Sequence, residues 1–306
     1  MKKKIKIGIP RSFLYYRNYI LWKNFFEIIG CNIVLSPNTD SDIVKVGSKL
    51  SVDESCLPSK IYLGHINYLI DKCDYVLIPR IYSYGRKKRV CVKFNGIYDV
   101  VNNIFPDIKI LDYNIDNLKF KYELFGFIKM GLKLNGNIFR IIYAYIIGKI
   151  KEYKYNKTLI LKQDKVMRSN RLKVLIVSHP YIVYDKYLSS NIINYLKDED
   201  IDILYSDRMN RKESIYYAEE ESNTLYFLYS KENIGSAFYY KDLVDGIIFL
   251  SSFPCGVDSL VNELVIRKID NVPCINIILD DSTSTGGLYT RLESFVDIIK
   301  ARRNNG

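Results

Sequence analysis

Residues 4–35 read KIKIGIPRSFLYYRNYILWKNFFEIIGCNIVL, and this stretch decides the fold class. Lys4 to Ile9 alternates into an apolar strand that stops at Pro10. From Phe13 to Ile29 apolar and aromatic residues recur at helical spacing, Gly30 fits a helix C-cap, and Ile33 to Leu35 forms a second strand. Working outward, Ser36-Pro37-Asn38-Thr39 is turn-like, a short helix runs to about Val46, and a longer one spans Ser59 to Lys72. Tyr75 to Ile78 is short and wholly apolar, as a parallel strand covered on both faces must be.

The same syntax returns later. Strands are expected at Leu172 to Val177, Ile201 to Tyr205, Gly246 to Leu250 and Ile275 to Leu279. Helices are expected at Asp185 to Lys197, Asp258 to Ile269 and Thr290 to Arg302. Both halves open with basic residues, an apolar strand, a Pro, a Tyr-rich helix and a second strand. Alternating strands and helices imply an α/β fold with two flavodoxin-like or Rossmann-like parallel-sheet domains. The expected division is an N-terminal domain over 1–115, a helical linker or insert over 116–170, and a C-terminal domain over 171–306.

The 306 residues are 48% hydrophobic, which excludes a disordered chain, and their net charge is +11. Most of the basic excess is Lys in a sequence also rich in Ile, Asn and Tyr, and no nucleic-acid motif accompanies it. The basic run Lys2-Lys3-Lys4 is followed by Lys6, Pro10 and Arg11, which interrupt any apolar leader core. Ile138 to Ile147, the most apolar segment, is too short to span a bilayer and carries Arg140. The sequence therefore reads as soluble and cytoplasmic, without nucleic-acid or membrane partners.

Six cysteines in such a chain read as thiols, not as a disulfide framework. Cys31, Cys73 and Cys274 are lead-ins to buried strands, where cysteine acts as a small apolar residue. Cys56 stands in the polar loop Asp53-Glu54-Ser55-Cys56-Leu57-Pro58 just before a helix. Cys91 follows the basic run Arg86-Lys87-Lys88-Arg89, and Cys255 follows a strand in Phe253-Pro254-Cys255-Gly256. Positions beyond the carboxyl ends of parallel strands are where such sheets build sites. Helix N-termini and nearby cations stabilise the thiolates that ligate metals. With only His65 and His179 present, the sequence argues against His-rich metal sites and rules out most Ser-His-Asp readings, and no P-loop or G-x-G-x-x-G occurs. His65 reads as structural and Asp258 as a helix cap. Arg11, Arg80 and His179 are the cleft candidates, the two arginines each following a strand-ending Pro. Read from the residues alone, the chain is a two-domain α/β protein with three candidate thiolates, and zinc or no metal at all stays open.

Several phrases carry a resemblance. They are Ile7-Gly8-Ile9-Pro10-Arg11 with Tyr15-Tyr16, Asp53 to Lys60 followed by Gly64-His65, Ile78-Pro79-Arg80, and Cys91-Val92-Lys93-Phe94. Ser178-His179-Pro180-Tyr181, Phe253 to Ser259, Leu279-Asp280-Asp281, and Thr290 to Phe295 continue them. Together they resemble the domain of unknown function attached to activators of 2-hydroxyacyl-CoA dehydratases, and the iron–sulfur subunits of that dehydratase family. Val92 and Val257 stand where the pattern has Pro, and Asp281 where it has Glu. The resemblance implies a four-iron four-sulfur cluster between the two domains, held by Cys56, Cys91 and Cys255. It further implies low-potential electron transfer or reductive radical chemistry, driven by a separate ATP-dependent activator. A paired dehydratase subunit or a homodimer is expected, with an acyl-CoA or other small molecule as substrate. Lys60 and Lys93 would balance cluster charge. The alternatives are a non-catalytic cluster-binding relay and a metal-free two-domain binding protein.

Overall fold

The structure is a computed structural model that describes residues 4–134, 136–222, 224–281 and 285–305; the lysines at positions 2 and 3 lie outside them. The chain divides into two compact units, Met1–Asn156 and Lys157–Gly306.

Unit 1 begins β1 (Lys6–Ile9), α1 (Tyr15–Ile29), β2 (Asn32–Leu35). Leu21, Trp22, Phe25 and Phe26 bury one face of α1, and Gly30 ends it at φ 96°, a conformation that costs other residues a Cβ clash. Two helices follow, α2 (Ser41–Lys49) and α3 (Leu57–Leu69), then β3 (Tyr75–Leu77), β4 (Arg80–Ser83) and α4 (Lys93–Ile104). The Asp40 carboxylate caps α2, accepting from the Asp42 and Ile43 N–H groups. β5 (Ile110–Leu111), β6 (Asn114–Asp116), α5 (Glu123–Lys133) and α6 (Ile138–Met167) complete the series, and the unit boundary falls within α6. The main sheet is parallel in the order β2-β1-β3-β5, and β4 pairs with β6 beside it. Phe25, Phe127 and Tyr113 meet in the core, the first two edge-on with centroids 4.8 Å apart. Such a contact adds about 0.5–1.5 kcal/mol beyond area burial.

Unit 2 repeats this plan. It runs β7 (Lys173–Ser178), α7 (Pro180–Val183), α8 (Lys186–Asp198), β8 (Asp202–Tyr205), then a helix pair, α9 (Arg211–Glu221) and α10 (Leu228–Tyr240). β9 (Gly246–Ser252), α11 (Gly256–Ile266), β10 (Cys274–Leu279) and α12 (Thr285–Asn305) follow. Its sheet is parallel in the order β10-β9-β7-β8. Numbered within each unit, both main sheets read second, first, third, fourth strand.

The helix pair is part of the repeat. A Cβ on Gly64 of α3 would lie 2.1 Å from the Ile43 carbonyl oxygen of α2, and one on Gly235 of α10 1.6 Å from the Ser214 carbonyl oxygen of α9. Each glycine lets two helices touch backbone to backbone. The segments bearing them match at identical spacing: Leu57-Pro58-Ser59-Lys60 with Gly64, and Leu228-Tyr229-Ser230-Lys231 with Gly235.

The α/β expectation holds, and the expected elements appear with ends shifted by a few residues. The helical segment from Glu123 is divided between the units: Phe127, Met130, Ile141 and Ala144 are buried in unit 1, and Gln163 bonds Tyr205 and Tyr240 in unit 2. α4, α9, α10 and the short strands β4 to β6 lie where no element was expected. Among the described residues, no helix is long and apolar enough to cross a membrane.

Candidate functional site

In unit 1 the strand order reverses between β1 and β3, and a crevice opens beyond their carboxyl ends, as sheets of this order require. Pro10 and Phe13 from the β1 side, Leu77 and Pro79 from the β3 side, Tyr62 of α3 and Phe94 of α4 line a gap of about 10 Å3 there, room for about one water. Phe13 holds φ 47°, a left-handed conformation that costs a bulky residue about 1–3 kcal/mol. Its ring packs on Tyr62 at 5.1 Å and Phe94 at 5.3 Å. The turn after β1 is thereby locked against the helices that carry two of the candidate cysteines.

Cys56 is the N-cap residue of α3, with Pro58 in the first turn. Its carbonyl accepts from the Ser59 and Lys60 N–H groups, and its Sγ lies 3.2 Å from Ser59 Oγ. Cys91 immediately precedes Val92, the N-cap of α4, and its carbonyl accepts from Phe94 N–H at 3.0 Å. The exposed turn Arg86 to Arg89, which puts Lys87 at φ 55°, leads into it. Cys255 is the N-cap residue of α11. All three thiols are half-buried and sit at the positive end of a helix dipole. Cys91 and Cys255 hold equivalent places, between the third main strand of a unit and the helix that follows. At the place equivalent to Cys56, capping α10, unit 2 has Phe227.

Cys31, Cys73 and Cys274 differ. Burial pushes each of their thiols up to about 11. Cys73 Sγ donates to Leu69 O at 3.3 Å, and Cys274 Sγ to Val272 O at 3.4 Å.

Beside Cys255 lies a relationship that the sequence reading did not contain. Asp258 is not the cap of its helix: Cys255 takes that position, and the Asp258 side chain is committed elsewhere. His179, at the carboxyl end of β7, places Nε2 3.1 Å from Asp258 Oδ1, and Cys255 also hydrogen-bonds this carboxyl. Burial alone would raise the carboxyl pKa, but the His179 and Cys255 contacts outweigh it and hold it below the usual value. The His179 ring stacks on Tyr181 at 5.0 Å, and its buried Nδ1 has no protein hydrogen-bond partner. The only advance signal was that both residues fall beyond the ends of neighbouring strands.

Arg11 donates from Nε to Ser36 O and from Nη1 to Asn38 Oδ1, and lies over the Tyr15 ring. Arg80 opens β4, pairs with Asp99 at 3.0 Å and lies over Tyr98. The two expected cleft arginines therefore serve different elements of unit 1. His65 is fully buried, bonds Thr39 Oγ1 at 3.1 Å, and is held neutral by burial with a pKa of about 4, in keeping with a structural role.

Among the described residues, no group of three or more His, Cys, Asp or Glu side chains is gathered as a metal-binding set. In donor chemistry the three half-buried thiols at helix N-termini nonetheless fit thiolate ligation of iron.

A family model described as a CoA enzyme activase uncharacterised domain matches residues 6–209, two thirds of the chain. The chain belongs to this family. The match covers unit 1, the start of unit 2 and, within them, Cys56, Cys91 and His179; Cys255 lies beyond it. Membership bears out the relation to dehydratase-activase proteins and leaves the particular subunit unassigned. No curated protein matches. Among solved structures the family member aligns with ZnuA at 10% identity and TM-score 0.24, covering 99% of both chains. It aligns with Zn(II)-bound AdcA from Streptococcus pneumoniae at 8% identity and TM-score 0.26, covering 99% of this chain and 57% of that one. A carbohydrate transporter from Acidothermus cellulolyticus 11B in complex with myo-inositol aligns at 9% identity and TM-score 0.21, over 90% and 74%. At such TM-scores the likeness carries no functional argument.

Proposed function

We propose that this family member is an iron–sulfur protein of the 2-hydroxyacyl-CoA dehydratase type, with Cys56, Cys91 and Cys255 as the protein ligands of a four-iron four-sulfur cluster. The observation that supports it is the shared placement of these three cysteines, each at the N-terminus of a helix, while the other three are protonated by burial. When bound, such a cluster supplies one-electron chemistry at low potential. The chain's own part is to hold three thiolates at dipole ends that offset their charge. The crevice residues, with Phe13 strained between Tyr62 and Phe94, fix the helices that bear Cys56 and Cys91. An ATP-dependent activator is the partner and a CoA thioester the substrate class in this reading, consistent with a family described by CoA enzyme activases. The exposed turn Arg86 to Arg89 is the docking candidate for the activator.

The deciding experiment is iron and acid-labile sulfide analysis of anaerobically purified protein. About four of each per chain is expected, lost in Cys56→Ser, Cys91→Ser and Cys255→Ser and kept in Cys31→Ser. Wild-type protein that stays iron-free after reconstitution overturns the proposal. With a cluster in hand, charge reversal at Lys87 and Lys88 should slow activator-dependent reduction. An unchanged rate across salt concentrations removes the docking role.

A further inference from the structure

The three helices that carry the proposed ligands differ in the charge of their first turns. α3 and α4 have no acidic residue there, whereas α11 has Asp258. Cys91 and Cys255 hold equivalent places, so unit 1 builds the same helix start without a carboxylate. In unit 2 that carboxylate is 7% exposed, and His179, also 7% exposed, sets Nε2 3.1 Å from its Oδ1. Among the described residues no Lys or Arg pairs with it. Replacing a buried pair of this kind by apolar side chains is often neutral or stabilising. Stability therefore does not account for the pair, and its position beside Cys255 does.

The Asp258 carboxyl bonds both His179 and Cys255. A carboxylate only accepts, so His179 donates from Nε2. With Cys255 bound to iron as a thiolate, the carboxylate stands as a fixed negative charge beside a ligand sulfur, held there by His179. Cys56 has no such neighbour in its own turn: its Sγ lies 3.2 Å from the neutral hydroxyl of Ser59. The protein interior screens a buried charge weakly, and net charge is one of the levers that set a cluster's potential. An electron arriving from the activator adds negative charge next to Asp258 and is disfavoured. We propose that Asp258, positioned by His179, lowers the reduction potential of the cluster from the Cys255 side. The proposal deepens the cluster reading and rests on it.

The test is an equilibrium redox titration of the anaerobically reconstituted full chain, read by electron paramagnetic resonance, with iron counted in every variant. Asp258→Asn and Asp258→Ser remove the charge, and Asp258→Glu keeps it. Both uncharged variants are expected to retain iron and to raise the reduced-to-oxidised ratio at a given potential about tenfold or more, a shift of about 59 mV for a one-electron couple. Asp258→Glu should stay closer to the wild type. His179→Ala frees the carboxylate and should raise the potential part of the way, and His179→Gln, which keeps an N–H donor, should restore it. Uncharged variants that hold iron at the wild-type potential overturn the proposal, as does an equal rise in Asp258→Asn and Asp258→Glu. Loss of iron from both uncharged variants also overturns it, because the carboxyl then supports ligation and does not tune it. A wild-type potential in His179→Ala removes the positioning role of His179. Iron-free wild-type protein instead fails the cluster reading itself, and this proposal with it.

Discussion

His179 Nε2 lies 3.1 Å from Asp258 Oδ1, tying the end of β7 to the first turn of α11 with both side chains buried. The same carboxyl hydrogen-bonds Cys255. One carboxyl therefore holds both the helix that Cys255 caps and the Cys255 side chain.

Because the pair is buried, removing one partner strands the other. Asp258→Ala and His179→Ala are each expected to cost about 3 kcal/mol in urea unfolding. The double variant should fall short of the sum by about 1–3 kcal/mol. Additive losses would show that the two side chains do not act together.

The backbone contact at Gly235 predicts a sharp contrast between two glycine substitutions. Gly235→Ala must drive α9 from α10, since the new Cβ would overlap the Ser214 carbonyl, whereas a Cβ on Gly256 meets nothing within 4 Å. Gly235→Ala should lose more than about 2 kcal/mol or fail to fold, and Gly256→Ala should change stability by well under 1 kcal/mol. Comparable melting temperatures for the two variants would contradict the close helix packing.

The strands and first helices were legible because their periodicity is clean: Leu21, Trp22, Phe25 and Phe26 mark one face of α1, and Gly30 its end. α10 was not, because its buried side chains include Ser230, Lys231, Glu232, Asn233 and Ser236, so no apolar stripe forms. Lys231 is tolerated there through Glu219 at 2.7 Å, a partner that sequence spacing does not announce. The signal that could have found α10 was the match of Leu228, Ser230, Lys231 and Gly235 to Leu57, Ser59, Lys60 and Gly64. Cys56 was legible as a thiol just before a helix and Cys255 as one between a strand and a helix, but not that Cys255 rather than Asp258 caps α11. The His179–Asp258 pair was not, because 79 residues separate its members and only the sheet order brings them together.

His65 gives a pH prediction. Its folded pKa of about 4 lies below the ordinary 6.5, so the unfolded chain takes up the proton first as pH falls. The stabilisation is complete above pH 6.5 and is lost progressively towards pH 4, up to about 3 kcal/mol for the whole shift. His65→Gln keeps a hydrogen-bonding group for Thr39 and does not titrate. Unfolding free energies measured across this window should fall less steeply in the variant. Parallel curves would remove His65 as the titrating group.

The six thiols should separate by alkylation rate in metal-stripped protein. Burial holds Cys31, Cys73 and Cys274 protonated near neutral pH, with pKa values pushed up to about 11. Cys56, Cys91 and Cys255 stand half-buried at helix N-termini, without the burial that raises the other three. Iodoacetamide labelling followed by peptide mass spectrometry should therefore modify the second set at least about tenfold faster. Cys255 should be the slowest of that set, because a thiolate there would face the Asp258 carboxylate. Asp258→Asn removes that charge and should speed labelling at Cys255 while leaving Cys56 and Cys91 unchanged. A uniform rate over all six cysteines would remove the distinction on which the ligand assignment rests. An unaltered Cys255 rate in Asp258→Asn would remove the carboxylate's hold on that thiol alone.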